Sequence, residues 1–278
     1  MKIISDSTCN LSTDILEKYD ISIAPIAIQF GNDSYLEDVD IDRDTFYAKI
    51  EEMQIIPTSS QPSPAVFAQL YKEAADRGEQ ILVVTVTKKH SGTYDSAILA
   101  KSMAPEADVV VFDSKSISLG TGWLVLEAAR MDAQGKSREE ILARLTKIRS
   151  QSKLFLTPAV LKYLQMSGRV GKLQGALASL LNLKPIITLR DGKLSAVENV
   201  RTRGKALERL LTMAEEAVGT NAPIHAAVIH ARAIEDGRML LEQVRKRFNL
   251  KDYLMEDLVS SLAVHGGPGV VGLVVYPA

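Results

Sequence analysis

One cysteine leaves no partner for an internal disulfide, and Cys9 stands apart from any paired Cys/His spacing of the kind that holds zinc. A reducing cytoplasmic setting and no bound metal are the expectations. An excess of one charge is missing too: 33 Lys plus Arg face 34 Asp plus Glu, so there is no field to gather nucleic acid. Apolar runs are short, none near the ~20 residues that a spanning helix requires. The opening MKIISDSTCN has no charged flank leading into an apolar core, so neither an ordinary export signal nor a membrane anchor is expected. Also absent are a P-loop, a G-x-G-x-x-G after a strand and a G-x-S-x-G elbow, which removes the usual signals for nucleotide binding and serine hydrolysis.

What is present is apolar content of 46% over 278 residues, enough for a large core and for two medium domains, expected at 1–150 and 151–278. The first half alternates short β-branched runs with helical stretches, the pattern of βαβ units on a mostly parallel sheet. Strands are expected at Lys2 to Ser5, Ile21 to Phe30, Ile81 to Val86 and Val109 to Phe112. Helices are expected near Ser12 to Lys18, Asp44 to Glu52, Tyr94 to Ser102 and Gly122 to Ala133. Between residues 57 and 64 three prolines stiffen a polar loop.

In the second half, Asp191-Gly192 joins two alternating runs, Pro185 to Arg190 and Lys193 to Val200, a strong hairpin signal that makes this sheet mixed. Strands at Leu154 to Leu156, Ile224 to Ile229 and Val270 to Tyr276 accompany it. Helices are expected from Pro158, over Leu173 to Leu181, from Arg201 to about Val218 and over Glu235 to Phe248. The fold class is therefore α/β, two α/β domains, the first with a mostly parallel sheet and the second with a mixed one.

Three first-half strands end in hydroxyl-rich turns: Asp6-Ser7-Thr8, Ser91-Gly92-Thr93, and Asp113-Ser114 with Ser116 and Ser118 beyond. A parallel sheet gathers such turns along one edge, where open α/β sheets bind ligands, and each leads towards a helix start that favours anions. Helix capping is the favoured account of Ser7, Ser114 and Ser118. At Ser91 the neighbouring Gly92 lets a ligand reach the backbone. His265-Gly266-Gly267-Pro268-Gly269 places one imidazole on a slender backbone, and Arg169 lies among small residues where it can pair with an anion. His90, His225 and His230 read as structural or exposed, and the Arg201 to Lys205 run as a solvated face.

Taken together, the chain resembles the DegV family, which includes the fatty-acid-binding subunits of bacterial fatty acid kinase. The resemblance runs through Asp6-Ser7-Thr8, Pro57 to Ser63, Ser91-Gly92-Thr93-Tyr94, Val111 to Ser114, Tyr163-Leu164 with Ser167-Gly168-Arg169-Val170, Lys184-Pro185-Ile186 and His265 to Gly269. It implies a long-chain fatty acid buried between the two domains, its carboxylate held by Ser59, Ser91 and His265. Gly92, Thr93, Arg169 and Gly267 become head-group or partner contacts. It further implies a role in phospholipid metabolism: no catalytic residue and no cofactor in this chain, a dihydroxyacetone-kinase-like fatty acid kinase as partner, and transient contact with a membrane. Two positions depart from the family pattern: Ser59 stands where Thr is usual, keeping the hydroxyl, and Ser167 replaces a glycine before the arginine.

An acyl tail of ~14 methylenes contributes a gross ~11 kcal/mol on burial, against about 1.5–3 kcal/mol for each hydrogen bond to a carboxylate. On this reading the tail supplies affinity and the hydroxyls supply orientation. Helix residues around Gly175, Ala176 and Ala178, and Trp123 to Ala129, are expected to line the tunnel or pack the core. The alternative is a serine-dependent hydrolase with Ser91 as nucleophile and His265 as base, for which no orienting acid is identifiable.

Overall fold

The structure, a computed structural model, describes residues 1–169 and 183–278. The chain divides into two compact units, Met1–Arg149 with Val259–Ser261, and Ser150–Leu258 with Leu262–Ala278.

In the first unit the chain runs β1 (Lys2–Asp6), α1 (Thr13–Lys18), β2 (Ser22–Ala24), β3 (Ala27–Phe30), β4 (Asp33–Leu36), α2 (Arg43–Met53) and β5 (Thr58–Ser60). It continues through α3 (Pro64–Asp76), β6 (Ile81–Thr85), α4 (Thr93–Ala100), β7 (Val109–Asp113), α5 (Leu119–Ala133) and α6 (Arg138–Gln151). Strands β2, β1, β6 and β7 form an all-parallel sheet in that order. Its two central strands, KIISD and ILVVT, are buried at every position, as expected of a parallel sheet covered on both faces. On one face Ile4, Ile81 and Val83 pack with Phe67, Tyr71 and Ala74 of α3 and Ala97 and Ala100 of α4. The phenol of Tyr71 donates to the carbonyl of Ala97 at 2.9 Å, which satisfies a buried polar atom and ties α3 to α4.

A second sheet was not foreseen. Ile21 to Phe30 is two strands rather than one, because Pro25 lacks the N–H that would continue the ladder. The second strand, β3, turns back through β4 and also pairs antiparallel with β5. The proline-stiffened stretch therefore begins as a strand, Thr58–Ser60, and Pro64 opens α3 at a position where its missing N–H costs nothing. In register, Ser59 lies opposite Ile28, which lies opposite Tyr35. Opposed residues share a face, so Ser59 falls on the side of the buried Ile28 and Phe30, and Thr58 and Ser60 stay exposed. Phe46 of α2 covers that side, its ring 5.9 Å edge-on to Phe30.

The second unit contains β8 (Lys153–Thr157), α7 (Lys162–Ser167), β9 (Lys184–Arg190), β10 (Lys193–Val200), α8 (Arg203–Val218) and β11 (Ile224–His230). After these come α9 (Ile234–Arg247), β12 (Leu250–Asp257), α10 (Ser260–Gly266) and β13 (Val271–Pro277), with the unit division falling inside α10. Six strands pair in the order β10-β9-β8-β13-β11-β12. Only β11 with β12 is parallel, so the sheet is mixed, with the expected β9–β10 hairpin at one edge. Leu210 and Ala214 of α8, Leu240 and Val244 of α9, and Phe155, Leu273 and Val275 of the sheet form its core. The helix expected from Pro158 starts only at Lys162, and β12 and α6 were not anticipated. The helix expected over Leu173 to Leu181, with Gly175, Ala176 and Ala178, lies outside the described residues. Trp123 to Ala129 sits in α5, buried at all but one position.

Candidate functional site

The parallel sheet does gather its hydroxyl-rich turns, but they differ in what they hold. Asp6, wholly buried, accepts from the backbone N–H of Val86 at 2.9 Å and of Thr8 at 3.1 Å, and from the Thr8 hydroxyl. Burial pushes its carboxyl above the ordinary range against the pull of these donors. The Ser114 hydroxyl is likewise engaged locally, 3.0 Å from Thr121 Oγ1 and accepting from the N–H of Ser116. These two turns stitch strand ends together and are occupied by the fold itself. Cys9, in the first of them, is buried with its thiol pushed up to about 12, and so is inert.

Ser91 is different. It is half-buried ahead of α4, and its hydroxyl accepts from the N–H of Thr93 at 3.2 Å and lies 2.8 Å from Thr93 Oγ1. When the buried Thr93 donates, Ser91 accepts two bonds and its own proton is free to point outward, polarised by the pair behind it. The start of α4 adds the positive end of its dipole beside that hydroxyl. Such a group is a donor to an anion. Its hydrogen-bonding neighbour is a threonine, which orients the hydroxyl.

The structure also brings the 58–62 segment to this turn. A Cβ built on Gly92 would lie 2.7 Å from Gln61 Nε2, so the side chain two residues beyond Ser59 rests directly against the residue following Ser91. A side chain at position 92 would push the end of Gln61 aside. Ser59 and Ser91 thus belong to one neighbourhood of the first unit, linked by the Gly92–Gln61 contact. Gln61, which the sequence flagged only as part of a loop, is the residue that makes this contact.

In the second unit, His265 is the sixth residue of α10 rather than part of a plain turn. The glycines after it are demanded by contact and conformation. Gly267 has φ +74 and a built Cβ would come 2.5 Å from the ring of Tyr163, while Gly269 has φ +82 and would strike Ala159. The turn therefore seats against the β8–α7 connection. Arg169 follows the left-handed Gly168 that ends α7, is exposed, and donates to the carbonyl of Ser167 at 2.7 Å.

One heavily engaged residue is one that sequence reasoning missed. Glu37, just past β4, is 1% exposed, and its carboxylate takes the Ser7 hydroxyl at 2.5 Å and both the backbone N–H and the hydroxyl of Ser261 at 2.6 Å. Burial pushes its carboxyl up to about 7, against the pull of Ser261 and Ser7. Asn10 completes the fastening by accepting from the N–H of Val259 at 2.9 Å. Ser7, read as a candidate for a cap or an anion site, serves this clasp instead.

Comparison with known proteins gives a consistent picture. A family model described as "Uncharacterised protein, DegV family" matches residues 1–278. A DegV domain-containing protein of Staphylococcus aureus is 33% identical, the alignment covering 98% of this chain and 97% of that protein. Among solved structures, a DegV family protein from Thermus thermophilus described as fatty acid binding superposes with a TM-score of 0.94 at 30% identity, over 100% of this chain and 99% of that one. A stearic acid-binding protein from Eubacterium ventriosum gives 0.92 at 30% identity, over 99% and 98% of the two chains.

Proposed function

The chain belongs to the DegV family, and we propose that it binds one long-chain fatty acid, holding the carboxylate with Ser59, Ser91 and His265 and presenting it to a partner kinase that forms the acyl phosphate. The observation that carries the reading is the Ser91–Thr93 pair at the start of α4 with Gln61 packed on Gly92, since a hydroxyl beside a helix N-terminus favours a carboxylate. Gly92 and Thr93 act behind the head group, and Gly267 keeps the His265 turn in shape. The fatty-acid-binding descriptions of the two solved relatives support the same ligand class. No catalytic role falls to this chain: Ser91 is held by Thr93 as a donor, and the phosphoryl chemistry belongs to the kinase.

The direct test is denaturing extraction of the purified protein followed by mass spectrometry. A fatty acid near one equivalent is expected; no lipid, and none taken up when oleate is added, overturns the reading. The kinase half is tested separately at Arg169, whose exposed guanidinium suits a partner contact better than a buried head group. Arg169→Ala should leave oleate affinity within about twofold and slow acyl-phosphate formation with the cognate kinase about tenfold, the effect of losing one charged contact worth about 1.4 kcal/mol. Normal phosphorylation would remove Arg169 from the partner surface.

A further inference from the structure

The small antiparallel sheet carries two things on one face. Tyr35 and Glu37 have the same parity along the chain, and Tyr35 lies opposite Ile28, which lies opposite Ser59. The Glu37 N–H donates to the carbonyl of Ile26 at 3.0 Å and so extends the β3–β4 ladder by one step. Ser59 and the Glu37 carboxylate are therefore set by the same short strands, on the same side. From that side Glu37 grips Ser261, the second residue of α10, through both its N–H and its hydroxyl, while Ser7 donates to the Glu37 carboxylate and Asn10 accepts from the N–H of Val259 just ahead of the helix. His265 is four residues beyond Ser261 in the same helix, one turn along and on the same face.

Burying a carboxylate this deeply opposes folding: its pKa rises in spite of three donors. An apolar contact would hold a strand to a helix start without that cost. What the carboxylate adds is direction: one oxygen takes the Ser261 N–H and the other the Ser261 hydroxyl, so two hydrogen bonds define both the position and the rotation of the first turn of α10, while the Ser7 hydroxyl holds the carboxylate itself. We propose that Glu37 is a positioning residue of the head-group site, fixing through Ser261 the helix that carries His265, so that ligand affinity depends on a side chain that does not touch the ligand. The proposal rests on the fatty-acid reading above and assigns no chemistry to Glu37 itself.

A double-mutant cycle on oleate affinity tests it, using Glu37→Ala, His265→Ala and the double variant, with Glu37→Gln as the conservative control. Glu37→Ala should weaken binding about tenfold, Glu37→Gln by less than about threefold because the amide keeps the acceptor for the Ser261 N–H, and Glu37→Ala in the His265→Ala background by less than about twofold. A general loss of packing would lower affinity equally in both backgrounds, so additive effects overturn the proposal. If Glu37→Ala does not fold, Ser261→Ala replaces it, with about a threefold loss expected that likewise vanishes without His265. Failure of the two readings is distinguishable: a wild type that takes up no oleate sinks the fatty-acid function, whereas a wild type that binds and a His265→Ala variant that binds equally well sink the positioning role together with the part given to His265, and leave fatty acid binding standing.

Discussion

Replacing Ser59 and Ser91 together by alanine is expected to lower fatty acid affinity about a hundredfold or more and to leave the protein folded. On the proposed reading each hydroxyl gives the carboxylate a charge-assisted bond of about 1.5–3 kcal/mol, and two such losses sum to about 3 kcal/mol at the least. The acyl tail keeps its contacts in the variant, so weak binding should persist at high ligand concentration. Stability should change much less. Ser91 accepts from the Thr93 N–H in the turn ahead of α4, a bond worth about 1 kcal/mol, whereas Ser59 is the middle residue of the three-residue edge strand β5, whose backbone pairing with β3 does not involve its side chain. Isothermal titration with oleate, alongside a denaturant melt, separates the two effects. Unchanged affinity in the double variant would exclude these hydroxyls from the head-group site.

The candidate site was legible in the sequence to the extent that it is local. Ser91-Gly92-Thr93 reads as a hydroxyl turn before a helix because strand, turn and helix start are contiguous, and the structure forms them in that order. Glu37 was invisible for the opposite reason. Its neighbours Asp33, Ser34, Asp38 and Asp40 make a polar stretch that reads as surface, and the residue that accounts for its burial, Ser261, lies 224 positions away. No period of 2 or 3.6 carries that information. Ser7 shows the same limit: capping and anion binding are the two local uses of a hydroxyl at a helix start, and its actual partner comes from 30 residues off.

Fold reading divides along similar lines. The all-parallel sheet followed from continuous apolar runs such as Ile81 to Thr85, buried throughout, and the β9–β10 hairpin from Asp191-Gly192, whose two residues both adopt positive φ. The three-stranded sheet was missed because its strands are three or four residues long and nearly all polar in β4 and β5, below what alternation can signal. Edge strand β12, Leu250–Asp257, alternates weakly with Lys251 and Asp252 at its start and resembles a loop after α9; pairing with β11 decides it.

Glu37 also predicts a pH dependence of stability with a defined sign. Its carboxyl titrates at about 7 in the folded protein, raised from 4.5 by burial and by the neighbouring Asp38 charge against the pull of Ser261 and Ser7. Between those two values the folded state binds a proton that the unfolded state has released, so unfolding frees a proton and stability falls as pH rises. The contribution is fully present below about 4.5 and is lost once pH has passed 7, a span that corresponds to about 3 kcal/mol. Asp6, also raised by burial, acts with the same sign from a lower starting point. Glu37→Gln removes the titrating group while keeping an acceptor for the Ser261 N–H. The variant should therefore gain on the wild type as pH rises from 5 to 8, by up to about 3 kcal/mol, in urea melts run at constant ionic strength. A difference between the two proteins that stays flat across this range would mean that Glu37 is ionised throughout, and that the clasp on Ser261 is strong enough to offset the burial of its charge.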